Sequence, residues 1–194
     1  MNIISSINRR RWPLLAALFY LSSSYGSPLM EETNFPNSQY QIFSHCGISE
    51  NSQSCEIYSV SKGGKKKIID YPLPPSSIRF ENNIFVIAFP CGTQCSATYF
   101  YNVKKGLSGP FPLVVDYDLQ RGFALGVAKN PIQVYRLFRA EDESLADSIT
   151  LDLPRNSRFD PSLIIEARIK DDSILIEYVN DKDERVTTSR PLPK

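Results

Sequence analysis

Apolar and polar residues alternate along most of this chain with the short period of β-strands, in runs of five to seven residues separated by turn residues. Strands are expected at 40–46, 56–60 and 65–70. The run 71–77 (YPLPPSS) then breaks the pattern, because its three prolines are excluded from a central strand. Residues 84–89 are apolar without alternation, which is the pattern of a strand buried on both faces. The CGTQC bend, a strand at 98–103, a turn at Lys104-Lys105-Gly106 and a strand at 110–115 follow, and 116–122 reads as a polar connection. Residues 123–127, a bend at Asn130-Pro131, then 133–138, a turn at 141–143 and 148–153 make a further copy. Residues 163–169, 174–179 and 185–190 make the last, with turns at Asp171-Asp172 and 181–183. The stretch 141–145 (EDESL) has the composition of a single helical turn, too short to nucleate alone.

These strands form an internal repeat. First strands begin near Tyr40, Phe85, Phe123 and Leu163, at spacings of roughly 40 residues. The second strands carry matching cores, Ile57-Tyr58-Ser59-Val60, Phe100-Tyr101-Asn102-Val103 and Val134-Tyr135-Arg136-Leu137; in the fourth copy Ile176-Glu177-Tyr178-Val179 is out of step. Three of the copies end in Leu-Pro, at 73–74, 153–154 and 192–193. The expected fold is all-β, four repeats of antiparallel meander in a propeller-like array. A β-sandwich or open barrel is the alternative with the same strand spacing.

Composition moves the picture to an exported protein. Arg9, Arg10 and Arg11 precede a short apolar run at 13–21 and a small-residue tail at 22–27, the order of a secretory signal peptide too short to span a bilayer. The expected organisation is therefore a signal peptide at 1–26, a mobile lead-in at 27–38 and a single repeat domain at 39–194. Cleavage removes three arginines and no acid, turning the net charge of +1 into −2, so a basic surface for nucleic acid is not expected. No second apolar stretch suits membrane insertion, and the chain has no Asn-x-Ser/Thr sequon, which favours a bacterial periplasm over a eukaryotic secretory route. Four cysteines in an exported chain imply two disulfides with three possible pairings; the local pairs Cys46–Cys55 and Cys91–Cys95 are preferred. Neither spacing is that of a zinc knuckle or a redox C-x-x-C motif, so no metal and no cofactor is expected.

Residues able to carry chemistry are few. The single histidine, His45, lacks a nucleophile-elbow partner and reads as structural beside Cys46. Asp116 and Asp118 share one side of an extended chain, and their bland reading is a solvated edge or turn. Lys65-Lys66-Lys67 reads as a solvated strand start or edge gatekeeper. Tyr58, Tyr99, Tyr101, Tyr135 and Tyr178 either line a sugar- or peptide-binding face or pack between stacked sheets; the repeat favours packing. The segment 104–110 (KKGLSGP) reads as a protruding loop or, equally, as a simple hairpin connection, and Lys105, Gly106, Leu107, Ser108 and Gly109 are the candidate partner-binding residues.

A signal peptide, all-β repeats and a C-G-x-x-C bend followed by S-G-P-F together resemble small bacterial periplasmic proteins, among them immunity proteins of type VI secretion peptidoglycan amidases. The similarity lies in compartment, size and β architecture, and no functional residue is carried over. It implies a non-enzymatic periplasmic inhibitor or immunity protein whose loop occludes the cleft of a secreted cell-wall-degrading enzyme, its protein partner. The alternatives are a carbohydrate- or peptide-binding module of the envelope and an envelope hydrolase using His45 or the Asp116/Asp118 pair.

Overall fold

The structure, a computed structural model, describes residues 29–33, 40–49, 52–92, 95–127, 132–154 and 161–194. The expected signal peptide and the Asn130-Pro131 bend lie outside the described residues.

The fold is all-β. Four antiparallel sheets follow one another along the chain, each a meander of consecutive strands. Sheet 1 contains β1 (Leu29–Thr33), β2 (Gln41–Ser49), β3 (Ser52–Ser61) and β4 (Gly64–Tyr71). Sheet 2 contains β5 (Ser77–Glu81), β6 (Ile84–Gly92), β7 (Cys95–Asn102) and β8 (Gly106–Pro112). Sheet 3 contains β9 (Val114–Asp118), β10 (Phe123–Val127), β11 (Ile132–Arg136) and β12 (Leu145–Ile149), with the one-turn helix α1 (Glu141–Ser144) between the last two. Sheet 4 contains β13 (Ile164–Lys170), β14 (Ser173–Val179) and β15 (Arg185–Pro191).

The repeat is thus present, with one strand more than expected in the first three copies. The strands expected to open each copy, β2, β6 and β10, are second strands; β1, β5 and β9 precede them. Part of the 27–38 segment, expected as a mobile lead-in, is β1, which pairs with β2 from Leu29↔Cys46 to Thr33↔Ile42. Likewise 116–118, expected as connection, belongs to β9. All three are five-residue edge strands. A short edge strand buries little, so its sequence keeps its polar residues and its apolar pattern is weak.

The sheets stack face to face, in the manner of a sandwich, and no strand pairing among the described residues closes them into a barrel. Ile42, Ile57 and Ile69 of sheet 1 meet Phe85, Ile87, Phe89 and Tyr101 of sheet 2. The opposite face of sheet 2, Ile84, Val86, Phe100 and Phe111, meets Ala124, Tyr135 and Leu137 of sheet 3. Leu125, Ile132, Val134 and Ile149 of sheet 3 then meet Ala167, Ile174, Ile176 and Tyr178 of sheet 4. Strand β6 therefore contributes alternate residues to two cores, which is why 84–89 shows no polar alternation. Each fully buried side chain of this size contributes roughly 1.5–3 kcal/mol relative to exposure.

The outer faces of the stack are different. On sheet 4 that face carries the ion pairs Glu166–Arg168 and Glu177–Arg185. On sheet 1 it carries Tyr58, Glu56, His45 and Lys67. Charged faces end the stacking, as the terminal units of repeat proteins do.

Sheets 2 and 3 are joined by Leu113 alone, at φ 39°. Its N–H donates to the Ser96 carbonyl at 2.9 Å and its carbonyl accepts from Val127 N–H at 3.1 Å, so one residue is bonded to both sheets. Beside this corner Gly126 passes under Pro112: a Cβ there would lie 2.7 Å from the Pro112 carbonyl oxygen. Both disulfides follow the local pairing. Cys46 and Cys55 face each other across β2 and β3 with Cα atoms 4.0 Å apart, and Cys91 and Cys95 bridge β6 to β7.

Candidate functional site

The segment expected as a protruding loop is strand β8. The turn occupies only Val103, Lys104 and Lys105, and from Gly106 the backbone pairs with β7 as Asn102↔Gly106, Tyr101↔Leu107 and Phe100↔Ser108. Its glycines and prolines suggest a loop, but β8 is the outer strand of its sheet, where Pro110 and Pro112 forfeit only N–H groups the ladder does not need. The Asn102 side chain fixes the turn, accepting from the N–H groups of Lys104 and Lys105 at 2.9 and 3.0 Å.

The pairing slips between Thr98 and Phe100, so β8 bulges at Gly109-Pro110, a cis peptide. Gly109 sits at φ 108°, and a Cβ would meet the Thr98 carbonyl oxygen at 2.7 Å; only glycine fits. Beside this bulge lies a groove of about 390 Å³, lined by Leu107–Phe111 from β8, Tyr135 from β11, Arg139 from the link that follows it and Ser144 from α1. That volume is within the range of ligand sites, roughly 300–1,000 Å³.

Three of the five candidate partner-binding residues, Leu107, Ser108 and Gly109, line this groove. Leu107 is 39% exposed, while Ser108 is buried and its hydroxyl oxygen accepts from Phe138 N–H at 2.9 Å, tying β8 to sheet 3. Gly109 makes the bulge and Gly106 closes the turn at φ 92°. Lys105 stands over the Phe138 ring at 5.4 Å. The floor is aromatic, with Phe111 and Tyr135 ring centroids 4.6 Å apart, and burial pushes the Tyr135 hydroxyl above its ordinary pKa. Neither Arg139 nor Ser144 carries a sequence signal for this groove: Arg139 follows the paired part of β11 in a link without periodicity, and Ser144 ends the single turn α1. The readable signal was Gly109-Pro110 inside an otherwise pairing segment.

The other sequence candidates are placed elsewhere. Asp116 and Asp118 do lie two apart on β9, but Asp116 accepts from the Ile169 N–H on the open edge of β13 at 2.6 Å. Asp118 accepts from the N–H groups of Gln120 and Arg121 and from the Arg121 guanidinium. Partial burial pushes the Asp118 carboxyl up; these bonds outweigh it and hold it below the usual range. Tyr101, Tyr135 and Tyr178 are buried in the stack, and Tyr99 packs edge-on against Phe89.

Tyr58 alone of the repeat tyrosines belongs to an outer face. Its hydroxyl donates to Glu56 at 2.6 Å, Lys67 donates to the same carboxylate at 2.9 Å, and Lys65 sits 3.9 Å over its ring. His45 Nδ1 stands 4.0 Å from Glu56. Lys67 is thereby occupied by Glu56 and Asp70, an edge-strand ion network rather than free charge. Among the described residues, no three His, Cys, Asp or Glu side chains are grouped to hold a metal ion. No helix among them is long and apolar enough to cross a membrane.

These networks set an acid dependence. The Tyr58 hydroxyl and the Lys67 ammonium hold Glu56 below its ordinary pKa, and Arg185 does the same for Glu177. A carboxyl with a depressed folded pKa stabilises the fold above its unfolded value and loses that contribution as pH falls through the folded value. The unfolding midpoint should therefore fall as pH drops from about 5 to about 3, with Glu56→Gln flattening the slope in calorimetric scans. A midpoint unchanged across that interval would show that the ion pairs do not hold in solution.

Compared with known proteins, the chain matches no protein-family model and no curated protein.

Proposed function

We propose that the chain is a non-enzymatic, exported bacterial binding protein that docks a protein partner through the β7–β8 hairpin and the groove beside it. Most concretely it is a periplasmic inhibitor or immunity protein for a secreted cell-wall-degrading enzyme. The observation that carries this reading is the pairing of an exposed Leu107 with a rigid base. Strand β8 is bonded to β7 and tied through Ser108 to sheet 3, and its tip presents Lys104, Lys105 and Leu107 outward. A hairpin held in this way enters a partner's cleft with little ordering cost, which is the main saving available to a small interface. The occluding element is thus a strand hairpin in place of a free loop. The two disulfides suit an exported chain.

Leu107→Asp tests this reading without touching the core. Capture from a periplasmic extract of the organism encoding the chain should recover a hydrolase with the wild-type chain, and at least about tenfold less with Leu107→Asp at unchanged thermal stability. Equal recovery by both chains, or no protein captured by either, would remove the hairpin from any docking role.

A further inference from the structure

The groove beside β8 is chemically one-sided. Arg139 lines it and is exposed, and among the described residues no acid is paired with it. Lys104 and Lys105 stand exposed on the hairpin that ends the same strand. Ser144 of α1 lines the groove as well. The groove also holds the aromatic floor of Phe111 and Tyr135 and the Ser108 hydroxyl, whose bond from Phe138 N–H uses its oxygen and not its hydrogen.

We infer that the groove seats an extended partner segment that places one carboxylate on Arg139 and an apolar neighbour against the Phe111–Tyr135 floor. This rests on the reading of the hairpin as a docking surface and names what that surface recognises.

Two observations converge on this ligand. The first is charge complementarity. An exposed guanidinium at a partly enclosed wall makes shorter and stronger hydrogen bonds to a carboxylate than to a neutral group. The second is the backbone of β8. Its outer edge lacks N–H groups at Pro110 and Pro112, so an added strand gains no continuous ladder and a side-chain anchor has to supply selectivity.

The inference is tested by fluorescence polarisation on the exported chain with both disulfides intact. The probes are two labelled peptides, acetyl-Leu-Glu-Leu-Ser-amide and its Gln analogue. The Glu peptide is expected to bind about tenfold more tightly than the Gln peptide, with the advantage shrinking as salt is raised. Arg139→Gln should abolish the preference, and Lys66→Gln, a charge change on exposed β4, should leave it intact. Circular dichroism and the unfolding midpoint check that both variants are folded.

Equal affinity for the two peptides, no binding of either, or a preference that survives Arg139→Gln would each overturn the inference. The docking reading fails separately. If Leu107→Asp still releases a captured partner while no acid preference is found, the hairpin docks and the carboxylate anchor is wrong. If the acid preference depends on Arg139 but no partner is captured, the groove is a carboxylate site and the docking reading falls.

Discussion

Replacing Gly126 by alanine is expected to lower the unfolding midpoint by about 6–12 °C, equivalent to about 3 kcal/mol in a domain of this size. The cause is a contact that has no room to relax. The added methyl would lie 2.7 Å from the carbonyl oxygen of Pro112 and 2.8 Å from the Tyr135 ring. The ring is packed on Phe111, and the carbonyl belongs to the residue before Leu113, whose backbone is bonded to sheet 2 on one side and sheet 3 on the other. Neither can yield without parting the two sheets, and the groove is built from both. Gly63→Ala is the control, because the nearest atom to its Cβ is the Ser61 hydroxyl oxygen at 3.6 Å, an ordinary contact. Calorimetry of the two oxidised variants decides the matter: a Gly126→Ala midpoint within a degree or so of the Gly63→Ala midpoint would mean that the corner is not a fixed point.

Much of this architecture is legible from residue order, and the parts that are not share a physical cause. Central strands show in sequence because they bury side chains: the unalternating run 84–89 marks a strand between two cores, and the matched tyrosine strands mark equivalent places in successive sheets. Strands β1, β5 and β9 escape because their place is secured by backbone pairing, which any residue but proline supplies. A local signal for β5 does exist. Asn82 and Asn83 both take positive φ, 48° and 62°, in the turn to β6, and Asn-Asn before an apolar run is a hairpin signal.

Legibility of the site runs the other way. Leu107, Ser108 and Gly109 are noticeable as a glycine-rich stretch, but composition alone makes them a loop, whereas the pairing of β8 makes them a wall. Arg139 and Tyr135 join them across 30 residues of sequence, and that proximity exists only because sheet 3 stacks on sheet 2. Stacking of meanders has no local code: it follows from which faces are apolar, and a Tyr-bearing strand reads the same whether its face is covered or open.

That last ambiguity gives the second large effect. Tyr58, Tyr101, Tyr135 and Tyr178 turn toward the preceding sheet in each copy. Tyr101 is 4% exposed against sheet 1, Tyr135 is 8% exposed against sheet 2 and Tyr178 is 7% exposed against sheet 3. Tyr58 belongs to the first sheet and has no preceding sheet to enter. Tyr101→Ala is expected to cost about 3–4 kcal/mol, lowering the midpoint by roughly 10 °C, because it removes an aromatic ring from the sheet 1–sheet 2 core and leaves a cavity beside Phe85. Tyr58→Ala removes a surface hydrogen bond to Glu56 and a Lys65 contact, and its midpoint should move by no more than about 2 °C. The same substitution at matching repeat positions thus reads out the order of the stack. Comparable losses at the two positions would mean that the outer face of sheet 1 is covered, either by another sheet of the chain or by a second molecule. Repeating the pair of scans at several protein concentrations separates those cases, since only a second molecule makes the Tyr58→Ala loss concentration-dependent.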